Sequence, residues 1–204
     1  MVAREDVETE VRRLCDAGDT RAAVTITIRD LGPEVVGFLV VLTRDHNDAG
    51  EIFADVCVRI WKSLATFRWQ CTLRTWLYVL ARRAFSAHRR ERVQWRERHI
   101  RISEVPEIDE LITRVSTTAL ARLRGEPQTR AQRLREQLSP DEQTLLTLRV
   151  DRGLEWREIA RVLADASDDE PTDDALGREA AALRKRFERL KERLRRLVAE
   201  DRAS

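Results

Sequence analysis

Apolar side chains along the chain recur at intervals of three and four, the spacing of amphipathic helices rather than the alternation of strands. Val7, Val11 and Leu14 share one helical face and predict a helix over 4–16, with another over 20–30. Pro33 suits the first turn of a third helix running through the apolar stretch Val35 to Leu42. Asp48-Ala49-Gly50-Glu51 has the form of a capping box, with the Asp48 carboxylate meeting the amide near Glu51. Ile52, Phe53, Val56, Ile60 and Leu64 then repeat at helical spacing, so the pattern predicts a helix over 48–65. Arg68-Trp69-Gln70-Cys71 interrupts it. Thr72 is the expected cap of the next helix, whose stripe is Leu73, Trp76, Leu77, Leu80, Ala81 and Ala84 and which runs on into the Arg-rich stretch 89–101.

Residues 102–127 hold only a weak stripe (Leu111, Ile112, Val115) among Pro106, Gly125 and Pro127, and read as a linker containing a short helix. Ser139-Pro140-Asp141-Glu142 is a strong helix start: serine as cap, proline in the first turn, acids against the helix dipole. Leu145, Leu146, Leu148 and Val150 follow, and Gly153 ends that helix. A shorter helix over 154–163 turns Trp156, Ile159, Ala160 and Leu163 inward. Residues 165–174 are acidic, contain Pro171 and read as a loop before a last helix over 175–199 carrying Leu183, Phe187, Leu190, Leu194 and Leu197. The expected fold is all-α: two small helical domains, 1–101 and 128–204, joined by a linker over 102–127.

Composition agrees with that class. Only 7 Gly and 5 Pro occur in 204 residues, and 36% of the side chains are charged against the usual quarter. The net charge of +2 conceals segregation. Residues 59–101 carry 12 basic and 2 acidic side chains, and residues 178–204 carry 10 and 5, while the remainder is acidic. Two basic islands imply two contacts with a polyanion. Cys15, Cys57 and Cys71 lack metal-site spacing, and their odd number suits a reducing cytoplasm. The first residues do not form a signal peptide, and the run Val35 to Leu42 is too short to span a bilayer, so the expectation is a cytoplasmic protein without membrane insertion. His46, His88 and His99 are scattered, with no nucleophile–base or metal arrangement. No catalytic residue, metal or cofactor is expected, and an enzyme is the weakest reading.

A helix, Gly153, a short helix and a basic helix follow the layout of a helix-turn-helix reader. Opposite Leu183, Phe187 and Leu190 stand Arg184, Lys185, Arg186, Arg189 and Arg193, able to bond phosphate or the guanine edge. The same pattern fits a solvated helix in which Glu188 and Glu192 pair with arginines four residues away. The segment from Asp48 to Trp61, followed by Phe67-Arg68 and Leu73-Arg74-Thr75-Trp76-Leu77-Tyr78-Val79-Leu80-Ala81-Arg82, is more specific. It resembles region 2 of extracytoplasmic-function sigma factors of the sigma-70 family. Ser139 to Leu194 resembles region 4 of the same family, through Leu138-Ser139-Pro140-Asp141-Glu142-Gln143, Glu158-Ile159-Ala160 and Arg186-Phe187-Glu188-Arg189-Leu190.

The resemblance implies core RNA polymerase and promoter DNA as partners, with room for an anti-sigma factor. It implies that Asp48, Glu51, Ile52, Asp55, Val56 and Arg59 dock on the polymerase. It places the −10 element against Arg68, Trp69, Gln70, Arg74, Arg82, Arg83, Arg89 and Arg90, and the −35 element against Arg184, Lys185, Arg186 and Arg189. Opening DNA without ATP requires capture of unpaired bases, and an aromatic or guanidinium platform can supply ~1–3 kcal/mol per stacked base. Trp61, Trp76 and Trp156 are expected in the core, whereas Trp69 fits either core or platform. Arg83 and Ala87 replace the family's usual Asn and Asp, which leaves the identity of the −10 bases open. The acidic insert 165–174 has three open readings: a loop folded away from DNA, an altered −35 contact, or an internal brake. The alternatives to a sigma factor are an autonomous helix-turn-helix regulator and a helical scaffold with solvated basic faces. A repressor has no need of the acidic stripe or the Arg68–Gln70 loop.

Overall fold

The computed structural model describes residues 4–91, 106–125, 129–164 and 171–203, and all regular structure among them is helical. The chain divides into two compact units, 1–125 and 126–204.

The first unit contains α1 (Arg4–Asp16), α2 (Thr20–Thr43), α3 (His46–Ser63), a 3-10 turn (Leu64–Thr66), α4 (Leu73–Glu91) and α5 (Pro106–Gly125). α2 is its axis and packs against α1, α3, α4 and α5. It buries residues on nearly every side, including Val24, Ile28, Val35, Val36, Phe38 and Leu39, as expected of a helix encircled by others. The expected break before Pro33 does not occur, and 20–43 is one helix with the proline inside it. Pro33 and Arg29 both lie on the exposed side, so the carbonyl deprived of its amide partner can turn to water. Gly32, one residue earlier, is the point of closest approach. A Cβ there would meet Val115 Cγ1 at 3.0 Å and Phe53 Cζ at 3.1 Å.

α5 corrects the domain boundary. Residues 106–125 are not a linker: Ile108, Leu111, Ile112 and Val115 form a buried stripe against α2. Pro106 occupies the first helical position and Gly125 the last, so residues that resemble loop punctuation are this helix's start and stop. The cap of α3 also differs from expectation. Asp45, not Asp48, accepts the amides of Asn47 (2.7 Å) and Asp48 (2.9 Å), and the helix begins at His46. Those two amides, Asp48's first, hold the Asp45 carboxyl below its ordinary range. Thr72 caps α4 as expected, its hydroxyl accepting from Thr75 N at 3.1 Å. The continuation into 92–101 lies outside the described residues.

The second unit contains α6 (Arg130–Glu136), α7 (Pro140–Leu146) with a π-helical turn (Thr147–Asp151), α8 (Trp156–Leu163) and α9 (Asp173–Ala203). Ser139 caps α7 as expected and forms with Glu142 a reciprocal capping box, and Thr129 with Gln132 forms another at α6. Gly153, at φ +69°, makes the turn into α8. Leu145, Leu148, Ile159, Ala160, Leu176, Leu183 and Leu190 form the core. Val150, read as part of that stripe, is 56% exposed, because the wider π turn carries it off the buried face. On α8 the inward residues are Ile159, Ala160 and Val162, while Leu163 is half-buried.

Candidate nucleic-acid interface

Three surfaces carry the residues singled out in the sequence. On α3, Asp48, Glu51 and Asp55 follow one another at helical spacing on the accessible side. Asp55 accepts from Arg59 Nε at 2.8 Å, and Asp48 lies 3.9 Å from the His88 ring on α4. Glu51 is exposed. Ile52 and Val56 are not part of this surface: both are 0% exposed and belong to the core. The stripe that makes α3 amphipathic is spent on folding the unit, so any docking face consists of its polar residues alone.

The second surface is the segment between the 3-10 turn and α4. Arg68 and Gln70 are exposed, and Trp69 between them is half-buried. Trp69 adopts φ +56°, a left-handed conformation costing a side-chain-bearing residue ~1–2 kcal/mol. Its ring lies 4.8 Å from Phe67, and Phe67 in turn stacks on Trp76 at 4.8 Å and 25°. The result is a ladder Trp69–Phe67–Trp76. Trp76 in the ladder and Trp61 on α3 are both half-buried, not core residues as expected. Two contacts from α1 complete the segment, and both escaped the sequence reading. The Arg12 guanidinium lies 5.3 Å from the centre of the Trp69 ring, and Glu8 accepts the Leu73 amide at 2.9 Å.

The arginines of α4 divide by position. Arg74 is only 17% exposed and donates to Glu34 at 2.8 Å. Its guanidinium also lies 5.7 Å from the Tyr78 ring, and the Tyr78 hydroxyl donates to the same carboxylate at 3.1 Å. Arg74 is thus part of the joint between α2 and α4 and is withdrawn from the DNA-contacting set. Arg82 and Arg83 are half-buried, and Arg89 and Arg90 are exposed. Arg82 and Arg89 both stand over Phe85, at 5.7 and 5.8 Å. Cationic heads thus line the helix's outer side while its apolar stripe faces inward. Trp95 lies outside the described residues.

The third surface is α9. Leu183, Phe187 and Leu190 are buried, and Trp156, itself half-buried rather than core, meets Phe187 edge-on at 5.5 Å. Arg149 covers the Trp156 ring at 4.8 Å. Arg184, Lys185, Arg186 and Arg189 are all exposed, and none has an ion-pair partner among the described residues. The acids that would neutralise them in a solvated helix pair elsewhere: Glu188 with Lys191 at 2.8 Å and Glu192 with Arg195 at 3.0 Å. Arg193 is different. It donates to Glu142 at 2.7 Å and to the Gln137 carbonyl at 3.0 Å, tying α9 to the start of α7. Burial pushes the Glu142 carboxyl up, but the Ser139 amide and hydroxyl and the Arg193 guanidinium together outweigh it and hold it low. A groove of about 450 Å³ beside this pair is bordered by Arg186, Arg189 and Arg196.

Of the acidic insert, Asp173 and Asp174 form the first turn of α9 rather than a loop, and Asp173 accepts from Arg157 at 2.8 Å. Asp165, Asp168, Asp169 and Glu170 lie outside the described residues. No helix among the described residues is long and apolar enough to cross a membrane.

Residues 27–96 match sigma-70 region 2, a span that takes in most of α2, all of α3 and α4, and the segment between them. The chain is also 26% identical over 166 residues to the RNA polymerase sigma-H factor of Pseudomonas aeruginosa, covering 80% of this chain and 85% of that protein. Both likenesses are to sigma factors, the first through a region that spans residues 27–96 of the 204. The first unit holds 125 of the 204 residues, so a likeness over 80% of the chain reaches into the second unit. No solved structure matches the chain. The region 2 match contains the acidic face of α3 and the aromatic ladder, whereas α1, which supplies Glu8 and Arg12, lies outside it.

Proposed function

We propose that this protein is a sigma factor of the extracytoplasmic-function type, which binds core RNA polymerase and directs it to promoters. The observation that carries the reading is the co-location, within the region 2 match, of an acidic helix face and a ladder of half-buried aromatics followed by a cationic helix. Asp48, Glu51, Asp55 and Arg59 meet the polymerase: a carboxylate-rich face repels DNA but complements a basic protein surface. Arg68, Trp69 and Gln70 meet the −10 element, with Arg82, Arg83, Arg89 and Arg90 along its backbone. Arg184, Lys185, Arg186 and Arg189 meet the −35 element, supported by their exposure and their lack of ion-pair partners among the described residues.

In this reading the phosphodiester chemistry is the polymerase's, and the protein contributes binding and strand separation. The units 1–125 and 126–204 take the region 2 and region 4 roles, and an anti-sigma factor is a further partner in the cytoplasm. The test is transcription in vitro with core polymerase on genomic fragments, with start sites mapped. Discrete starts that depend on the protein and share spaced upstream elements are expected. Binding of palindromic duplexes by the protein alone, with no dependent starts, would favour the autonomous regulator instead.

A further inference from the structure

The strained backbone at Trp69 needs a restraint, and α1 supplies it. Trp69 is a bulky residue at φ +56°, a conformation that persists only where its surroundings over-determine it. Those surroundings include Phe67 on the ladder side and the Arg12 guanidinium, 5.3 Å from the ring centre. Four residues earlier in α1, Glu8 accepts the first amide of α4, anchoring the other end of the same segment at Leu73. Glu8 and Arg12 sit one helical turn apart, so α1 presents both contacts from one face. Arg12 is itself exposed, so its guanidinium is not there to fill a core.

We propose that α1 is a positioning element for strand opening: Arg12 holds the Trp69 indole in the orientation that receives an unstacked base, and Glu8 fixes the end of the segment that carries it. This rests on the sigma-factor reading and extends it to residues outside the region 2 match. Arg12 acts through Trp69. It stabilises the left-handed conformation before DNA arrives, so the ladder Trp76–Phe67–Trp69 is already built when a base leaves the duplex. Without Arg12 the segment relaxes, and opening must include the reordering of Trp69.

The experiment uses holoenzyme assembled from core polymerase and the full chain, on a fragment with a mapped start. Opening is read by 2-aminopurine fluorescence at the −10 element, and closed-complex binding is read separately at low temperature. Arg12→Ala should reduce opening about 5- to 10-fold, the scale of losing part of one base-stacking contact. Closed-complex affinity, core binding and thermal midpoint should stay near wild type. Arg12→Lys, which keeps a cation over the ring, should recover most of the loss. Because Arg12 works through Trp69, the double variant Arg12→Ala with Trp69→Ala should open no worse than Trp69→Ala alone. Normal opening by Arg12→Ala or Trp69→Ala, or a double variant showing the product of the two defects, would overturn the proposal. Failure of the wild-type holoenzyme to open any fragment would instead overturn the functional reading beneath it.

Discussion

Replacing Arg184 and Arg186 with alanine removes two of the six exposed cations on α9 that lack an ion-pair partner among the described residues. Each phosphate contact releases condensed counterions and contributes ~0.9 to the slope of log K against log salt. If both arginines lie on the DNA backbone, the double variant should lower that slope by about 1.8. The assay is titration of holoenzyme onto a labelled promoter duplex at several salt concentrations, followed by anisotropy. Contacts made by the polymerase are common to both proteins and cancel in the difference. Arg195→Ala is the internal control, since Arg195 is already paired with Glu192 at 3.0 Å. It should leave the slope nearly unchanged. The fold is not at risk, because the buried side of α9 is Leu183, Phe187 and Leu190. An unchanged slope in Arg184→Ala with Arg186→Ala would refute α9 as a DNA-contacting helix, and equal losses in the control would mean that the pairing pattern does not select the contacts.

Ile108→Ala should cost the first unit ~2–5 kcal/mol, the usual range for emptying a buried Ile site, measured by urea unfolding. A linker residue would cost almost nothing. Arg74→Ala should lower stability by ~1.5–3 kcal/mol through the charged hydrogen bond lost to Glu34, while leaving the DNA salt slope intact; a changed slope at unchanged stability would return Arg74 to the DNA surface. Glu142→Gln should flatten the acid limb of the second unit's stability profile. The native carboxyl titrates below the ordinary glutamate value of 4.5, so the unfolded chain binds the proton first. The stabilisation is therefore complete above that value and is lost as pH falls through the native one. Urea midpoints between pH 3 and 6 that decline equally in both proteins would remove this group as the cause.

The sequence was most legible where one helix carries its own signals. The Ser139-capped helix start and the α3 stripe are local patterns, and both appear where expected. Misreadings arose where one residue type serves two purposes. Pro106 and Gly125 punctuate loops and also begin and end helices, and only the packing of Ile108 and Val115 on α2 decides between them. Ile52 and Val56 adjoin the acidic stripe in sequence, but a helix has one apolar face, and here the core takes it. Arg74 sits in a basic run, yet Glu34, forty residues earlier, holds it on the interior side. The α1 contacts were beyond reach for the same reason. Glu8 meets Leu73 across 65 residues, and neither Glu8 nor Arg12 belongs to any local motif.

Equilibrium binding of the full chain to bacterial core RNA polymerase bears most directly on the whole account. A saturable one-to-one complex is predicted, weakened about tenfold by Glu51→Lys with Asp55→Lys, a reversal placed on the accessible side of α3 and away from its buried stripe. No association of the unaltered chain with the enzyme would contradict it.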